Sequence, residues 1–248
     1  MKKYFLAAIV LLALAFIIIS FLKKPETQAA QGFAVVELFT SEGCSSCPPA
    51  DEAVAEIAKQ NKSNVFILGY HVDYWNYLGW KDAFSSNAYS NRQKQYASVF
   101  KLNSIYTPQI VVNGKTEFVG SDKNKLQQTI AKELNNNTAK PFDASAKSVD
   151  EKTVVVNVKS SRPENDIINV ALVQLQAQSD VKRGENNGKQ LRHINVVRDL
   201  KTIDISNKQS SVNFIFPDGL TKKDFKIIVF SQNKNNLQID DAGEIEIQ

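Results

Sequence analysis

The chain has 248 residues, 30 Lys+Arg against 26 Asp+Glu, and only two cysteines. Four of the lysines and no acid fall in residues 1–24, so residues 25–248 carry 26 charges of each sign and are neutral overall. A neutral folded portion gives no electrostatic footprint for nucleic acid. Two cysteines exclude a disulfide-stapled scaffold and a four-thiolate zinc site.

Met1-Lys2-Lys3 precedes residues 4–22, which carry no charge and only Ser20 as a small polar residue; Lys23-Lys24-Pro25-Glu26 ends the run. Apolar runs of about 18 or more span a bilayer core, whereas signal-peptide cores run to about 7–15. Residues 1–24 therefore read as an uncleaved signal anchor, with a cleaved signal peptide ending near Thr27-Gln28-Ala29-Ala30 as the alternative. Lysines at both ends leave its orientation open. The expected location is the cell envelope or periplasm, with attachment to the membrane through this helix. Secretion after cleavage is the alternative.

After a linker over residues 25–32, strand and helix signals alternate from residue 33 to 134. Residues 35–39 read as a buried strand and residues 48–59 as a helix opened by proline. Residues 64–70 (NVFILGY) read as a strand of a parallel pair. Residues 81–101 are mostly helical, with Phe84, Tyr89, Tyr96 and Phe100 as anchors. The run from Ile105 to Val119 places Asn113-Gly114 between two β-rich segments, a hairpin signal. An amphipathic helix over 122–134 closes the unit. The order β-α-β-α-β-β-α predicts an α/β thioredoxin-like domain. A polar linker, residues 135–141, leads to a β-rich domain over 142–248. Six strand-like runs there predict a small antiparallel sandwich.

Cys44-Ser45-Ser46-Cys47-Pro48 lies where the first strand gives way to the helix. C-x-x-C spacing at a helix N-terminus, with its free N–H groups and partial positive charge, favours a thiolate at the first cysteine. The pair reads as a redox-active disulfide, with half a zinc site or a passive structural disulfide as alternatives. Cys44 is expected to be the more exposed, attacking thiol and Cys47 the resolving one. A ring this small removes little chain entropy, so it makes a poor staple. Thr107-Pro108 opens a strand, where a thioredoxin-like fold places a cis-proline beside the disulfide and the preceding residue pairs with substrate peptide. Glu37, an acid in an apolar strand, is a candidate for proton exchange with Cys47, since burial raises a carboxylic acid's pKa.

His71, Asp73 and Trp75 follow the second strand, in a segment holding both tryptophans, and are candidates to line a substrate groove. His71 with Asp73 would tune the thiolate. His71 with Cys44 and Cys47 is the alternative, a soft-metal site for Cu(I); otherwise no metal and no cofactor besides the disulfide is expected. Arg92 and Tyr96, one helical turn apart, are further groove candidates. The loop from Lys182 to His193 is Gly-rich but lacks the strand–helix context of a phosphate loop. It reads as a contact loop reaching the redox site or as a plain long hairpin.

The block Glu37 to Asp51 (ELFTSEGCSSCPPAD), with Tyr70-His71-Val72-Asp73-Tyr74-Trp75, Leu78-Gly79-Trp80 and Tyr106-Thr107-Pro108-Gln109, resembles a bacterial family of exported thioredoxin-like proteins, domain of unknown function 1223. The resemblance continues more weakly through Gly184-Glu185-Asn186 and Asn195-Val196-Val197-Arg198. It implies a thioredoxin-like fold without a settled substrate. The expected function is thiol–disulfide exchange with a protein dithiol partner. A copper carrier and a non-catalytic interaction module are the alternatives. Ser-Ser between the cysteines, where thioredoxin has Gly-Pro, leaves the direction of electron flow open.

Overall fold

The computed structural model describes residues 32–60, 62–136, 142–159, 165–204 and 209–248. The predicted signal anchor lies outside them; among the described residues no helix is long and apolar enough to cross a membrane. Strand β1 (Ala34–Thr40) is buried along its whole length. It pairs in parallel with β2 (Val65–His71), and helix α1 (Pro48–Lys59) makes the crossover. Continuous apolar runs suit strands covered on both faces. Val36 and Leu38 pack with Ala50, Val54 and Ile57 of α1 and with Leu126 and Ile130 of helix α3 (Lys123–Asn136). Val35 and Phe39, of the other parity, pack with Tyr89 and Tyr96 of helix α2 (Asn87–Val99).

On its other side β1 pairs antiparallel with β3 (Gln109–Val112), which turns into β4 (Thr116–Val119). Asn113 and Gly114 both have positive φ, as the Asn-Gly signal predicts for a type I′ turn. Asn113 also accepts a bond from the Val35 N–H (2.6 Å) and donates to the Phe33 carbonyl (3.1 Å) and to Glu133 (2.8 Å). Gly114 lies against the Leu237 carbonyl, so closely that a Cβ there would overlap it. Gly114→Ala therefore combines left-handed strain with a backbone clash. It should cost about 2 kcal/mol or more, read as a lower midpoint in urea unfolding.

The expected pairing of a thioredoxin-like domain with a separate all-β domain is corrected by the sheet. Eight strands form one mixed sheet in the order β11-β10-β7-β8-β2-β1-β3-β4, and the protein is mostly β. The long antiparallel pair β7 (Asp166–Asp180) and β8 (Gln190–Asp204) continues outward through β10 (Phe225–Asn233) and β11 (Ile239–Ile245). Strand β8 meets β2 in parallel at Gly69 and Val196. A Cβ at Gly69 would sit 3.4 Å from the Asn195 carbonyl, in ordinary contact with the β8 backbone. The physical reason for the merger is the edge of β2. Left open, it would present unpaired backbone groups on an apolar strand, and β8 pairs with it at Gly69 and shields that part of the edge. A second, three-stranded sheet packs on the large one. The small sheet β5 (Asp143–Ser148), β6 (Thr153–Lys159) and β9 (Gln209–Ile215) lays Val154, Val156 and Phe214 onto Val170, Leu172, Ile227 and Val229 of the large one.

Candidate disulfide site

Beyond β1 the chain turns sharply: the Cys44 N–H bonds the Ser41 carbonyl, and the Cys47 N–H bonds the Cys44 carbonyl, both at 3.2 Å. Cys47 caps α1, and its carbonyl accepts from the amides of Ala50 (2.8 Å) and Asp51 (3.2 Å), behind the proline at the first helical position. Cys44 and Cys47 are joined in a disulfide, with their Cα atoms 5.4 Å apart. The expected exposure of Cys44 is not found. Both cysteines are 0 % exposed, although Ser45 and Ser46 between them face solvent.

Two segments seal the ring. The 74–80 segment presses on it from one side: a Cβ on Gly43 would lie 3.0 Å from that of Trp75. The end of the β7–β8 hairpin, an arm over residues 181–189, closes it from another. Buried Asn186 donates both amide hydrogens, to the carbonyls of Glu42 and Cys44 (2.9 Å each), and its oxygen accepts from Lys189 (2.9 Å). Glu185 accepts the Ser45 N–H at 2.9 Å, and hydrogen bonding from the Ser45 side chain and then from this N–H holds its carboxyl below the usual carboxylate range. Gly184 and Arg183 rest on Leu78, Gly79 and Trp80. Of the two readings of this loop, the contact loop is the one observed.

Beneath the ring lies a buried group of charges that brings together both histidines of the chain. His193, 3 % exposed, stands between two carboxylates: Nδ1 is 3.4 Å from Asp51 Oδ1 and Nε2 is 3.4 Å from Glu42 Oε1. The Glu42 contact has ion-pair distance without hydrogen-bond alignment. The other oxygens are occupied, Glu42 Oε2 by Trp80 Nε1 (2.7 Å) and Asp51 Oδ2 by Thr40 Oγ1 (3.2 Å). Burial alone would lower the pKa of His193, but Asp51 and Glu42 outweigh it and hold it at about 10. His71 packs edge-on against His193, with ring centroids 4.6 Å apart, and its Nδ1 is 2.7 Å from Asp82. Asp82 also accepts the Glu42 N–H (2.9 Å). Burial would raise the pKa of Asp82, and His71 with these hydrogen bonds reverses that and lowers it.

The predicted site residues divide into two groups. Thr107-Pro108 is a cis peptide, as the strand pattern predicts. Thr107 accepts from Trp75 Nε1 (2.7 Å), and Pro108 is buried around Gly120, against which Ala50 of α1 also packs. Trp75 thus joins Thr107 to the turn before Cys44, Pro108 meets α1 through Gly120 and Ala50, and His71 joins the buried charges around His193. Glu37, Arg92 and Tyr96 do not join them. Glu37 has the parity of Val35 and Phe39 and faces α2, away from α1. Its oxygens are taken by Arg92 Nε (2.6 Å) and the Tyr96 hydroxyl. Arg92 and Tyr96 line no groove; both are buried in that network. Asp73 is tied to Ser90 and Asn87, so the partner of His71 is Asp82 instead. Among the described residues no cluster of His, Cys, Asp and Glu could hold a metal ion, and Cys44, Cys47 and His71 do not assemble as one. Sequence reasoning missed Glu42, Asp51, Asp82 and Trp80. The signal for the arm was present in Gly184-Glu185-Asn186, the short block shared with the family.

The model of a family described as protein of unknown function (DUF1223) matches residues 35–232, a span holding the disulfide, the arm and the buried charges. The chain belongs to the DUF1223 family. A crystal structure of a protein from Agrobacterium tumefaciens is similar to this DUF1223 chain at 28 % identity. The match has a TM-score of 0.66 and covers 88 % of this chain and 96 % of the other. A domain of the outer membrane lipoprotein Omp28 from Porphyromonas gingivalis is 14 % identical over 44 % of this chain and 87 % of its own. Its TM-score of 0.31 is too low to bear on fold or function. No curated protein matches the chain.

Proposed function

We propose that this DUF1223 protein is an exported thiol–disulfide oxidoreductase, attached to the membrane by its N-terminal hydrophobic segment and acting on a protein dithiol or disulfide. The observation that carries this reading is the Cys44–Cys47 ring set at the N-terminus of α1, with Cys47 as the cap. A thiolate released there gains from the dipole of α1, since Pro48 and Pro49 offer no N–H and the Ala50 and Asp51 amides are taken by the Cys47 carbonyl. In the forward exchange an incoming thiolate bonds to Cys44 Sγ, the Cys44–Cys47 bond breaks, and its electron pair leaves on Cys47. The partner's second thiol loses its proton to solvent and attacks the partner sulfur of the mixed disulfide, so that Cys44 departs as a thiolate. The partner is oxidised by two electrons and the pair is reduced. In this reading Thr107, Pro108 and Trp75 would supply the wall against which a partner peptide rests; the Trp75 contact with Gly43 beside Cys44 and its bond to Thr107 support it.

Replacing Cys47 with serine leaves Cys44 free to attack a disulfide-containing peptide, releasing one peptide sulfur as a thiolate, and should trap the mixed disulfide, visible as a mass adduct. Cys44→Ser should abolish both adduct and turnover. Loss of neither would remove the reading. The burial of both sulfurs favours one competitor, an interaction module with a closed disulfide. A reduction potential well below about −300 mV would select it.

A further inference from the structure

The buried charges beneath the ring have a geometry that a packing role alone does not require. Asp51 and Glu42 each commit one oxygen to a neutral donor, Thr40 or Trp80, and each holds the other within ion-pair distance (3.4 Å) of a different nitrogen of His193, aligned for a hydrogen bond at Asp51 only. A neutral imidazole would turn a lone pair toward one of the two carboxylates, so this placement suits the imidazolium, which has a proton on both nitrogens. The backbones of these two residues are also linked to those of the cysteines, directly for Asp51 and through Asn186 for Glu42. The Asp51 amide bonds the Cys47 carbonyl, and the Glu42 carbonyl shares the Asn186 amide group with the Cys44 carbonyl. Other titratable groups near His193 include His71 on β2 and Asp82, which are paired with one another, and Arg198 on β8, whose guanidinium lies 5.1 Å from the ring centre of Phe84. Phe84 adds an apolar wall.

We propose that His193 is a positioning residue of the disulfide site: a cation carried in on β8 that offsets Glu42 and Asp51 and thereby sets how readily the Cys44–Cys47 pair accepts electrons. The proposal deepens the oxidoreductase reading and rests on it for its purpose. Reduction delivers two electrons to the ring, and any thiolate that results is negative charge added beside two buried carboxylates. Charges out of solvent are poorly screened, so the imidazolium favours the reduced pair. Each carboxylate opposes it.

The test is the equilibrium of the full-length chain with glutathione redox buffers at pH 8, read by trapping free thiols. His193→Gln should move the equilibrium at least tenfold toward the disulfide, about 30 mV for this two-electron couple. Asp51→Asn should move it at least tenfold the other way. Opposite signs are the signature, since general loosening of the site would shift both variants in one direction. Shifts of the same sign, or both below twofold, overturn the proposal. Asp51→Asn is nearly isosteric at the rim of the cluster, so it decides alone if the histidine variant does not fold. Thiol transfer to a peptide, measured in parallel, separates the two ideas. Opposite shifts without transfer keep the role of His193 and remove the oxidoreductase. Transfer with unmoved potentials does the reverse.

Discussion

Replacing Arg92 with methionine should destabilise the fold by about 3–5 kcal/mol, because it leaves the Glu37 carboxylate buried without its cation. Glu37 is 0 % exposed in the centre of β1, and Arg92 reaches it from α2 at 2.6 Å. Burial works against the charge on Arg92, and Glu37 more than restores it, raising the pKa of the guanidinium above its ordinary value. The same guanidinium donates to Gln232 (3.1 Å) on β10 and to the Tyr96 hydroxyl (3.2 Å). It also lies 5.3–5.6 Å from the ring centres of Tyr70, Tyr96 and Phe230. Asn169 on β7 donates to Gln232 in turn (3.1 Å). One side chain therefore links β1 and α2 to the outer half of the sheet. For a domain of this size the expected fall in melting temperature is about 6–20 °C, measurable by calorimetry. The double variant Glu37→Leu with Arg92→Met should recover much of it, since an apolar replacement of a buried pair is often nearly neutral. Neither variant should move the reduction potential of the cysteines, because Glu37 faces away from α1. A shift of tenfold or more in the glutathione equilibrium would return Glu37 to the disulfide site.

Local signals along the chain were legible wherever one periodicity acted alone. The apolar runs of β1 and β2, the proline-opened α1, the Asn-Gly turn and the amphipathic α3 all follow from composition and spacing at short range. Strand β5, with the polar sequence DASAKS, carries no such signal and was invisible. What the sequence did not disclose is which strand covers which edge. The NVFILGY run called for neighbours on both sides. Nothing local says that the second is β8, more than a hundred residues on, paired at Gly69. The site divides in the same way. The cysteines, the cis-proline and the aromatic segment lie in short contiguous motifs. The partners of His193 are separated from it by over 140 residues and meet only because the sheet is continuous. Glu37 misled for a related reason. An acid in an apolar strand indicates a buried function, but whether its partner is a thiol or an arginine depends on strand parity against helices not yet placed.

Replacing Asn186 with alanine should make the Cys44–Cys47 disulfide tens of times easier to reduce. The Asn186 amide ties the Glu42 and Cys44 carbonyls to the arm and also accepts from Lys189. Its loss removes bonds worth about 1 kcal/mol each and leaves the buried Glu42 carbonyl without the Asn186 donor, while the Cys44 carbonyl keeps the Cys47 N–H, so arm closure should weaken by about 2–3 kcal/mol. At about 1.4 kcal/mol per tenfold, that enriches the open form about 30- to 150-fold. With both sulfurs sealed, reduction proceeds through that form, and a phosphine reductant reports its population without a thiolate of its own. An unchanged phosphine rate in Asn186→Ala would mean that the sulfurs are reached by another route. Lack of dependence of the wild-type rate on low urea would mark the opening as local. The base of the arm adds a pH dependence with a fixed sign. The pKa of His193 is about 10 when closed, raised above its ordinary value by Asp51 and Glu42. Its contribution to closure is thus fully present below about pH 6.5 and is lost as pH rises through about 10. Phosphine reduction of the wild type should therefore accelerate between pH 8 and 10.5, and His193→Gln should flatten that rise. Asn186→Ala should keep the slope at a higher baseline, because it loosens the tip of the arm and leaves the ion pairs at its root intact.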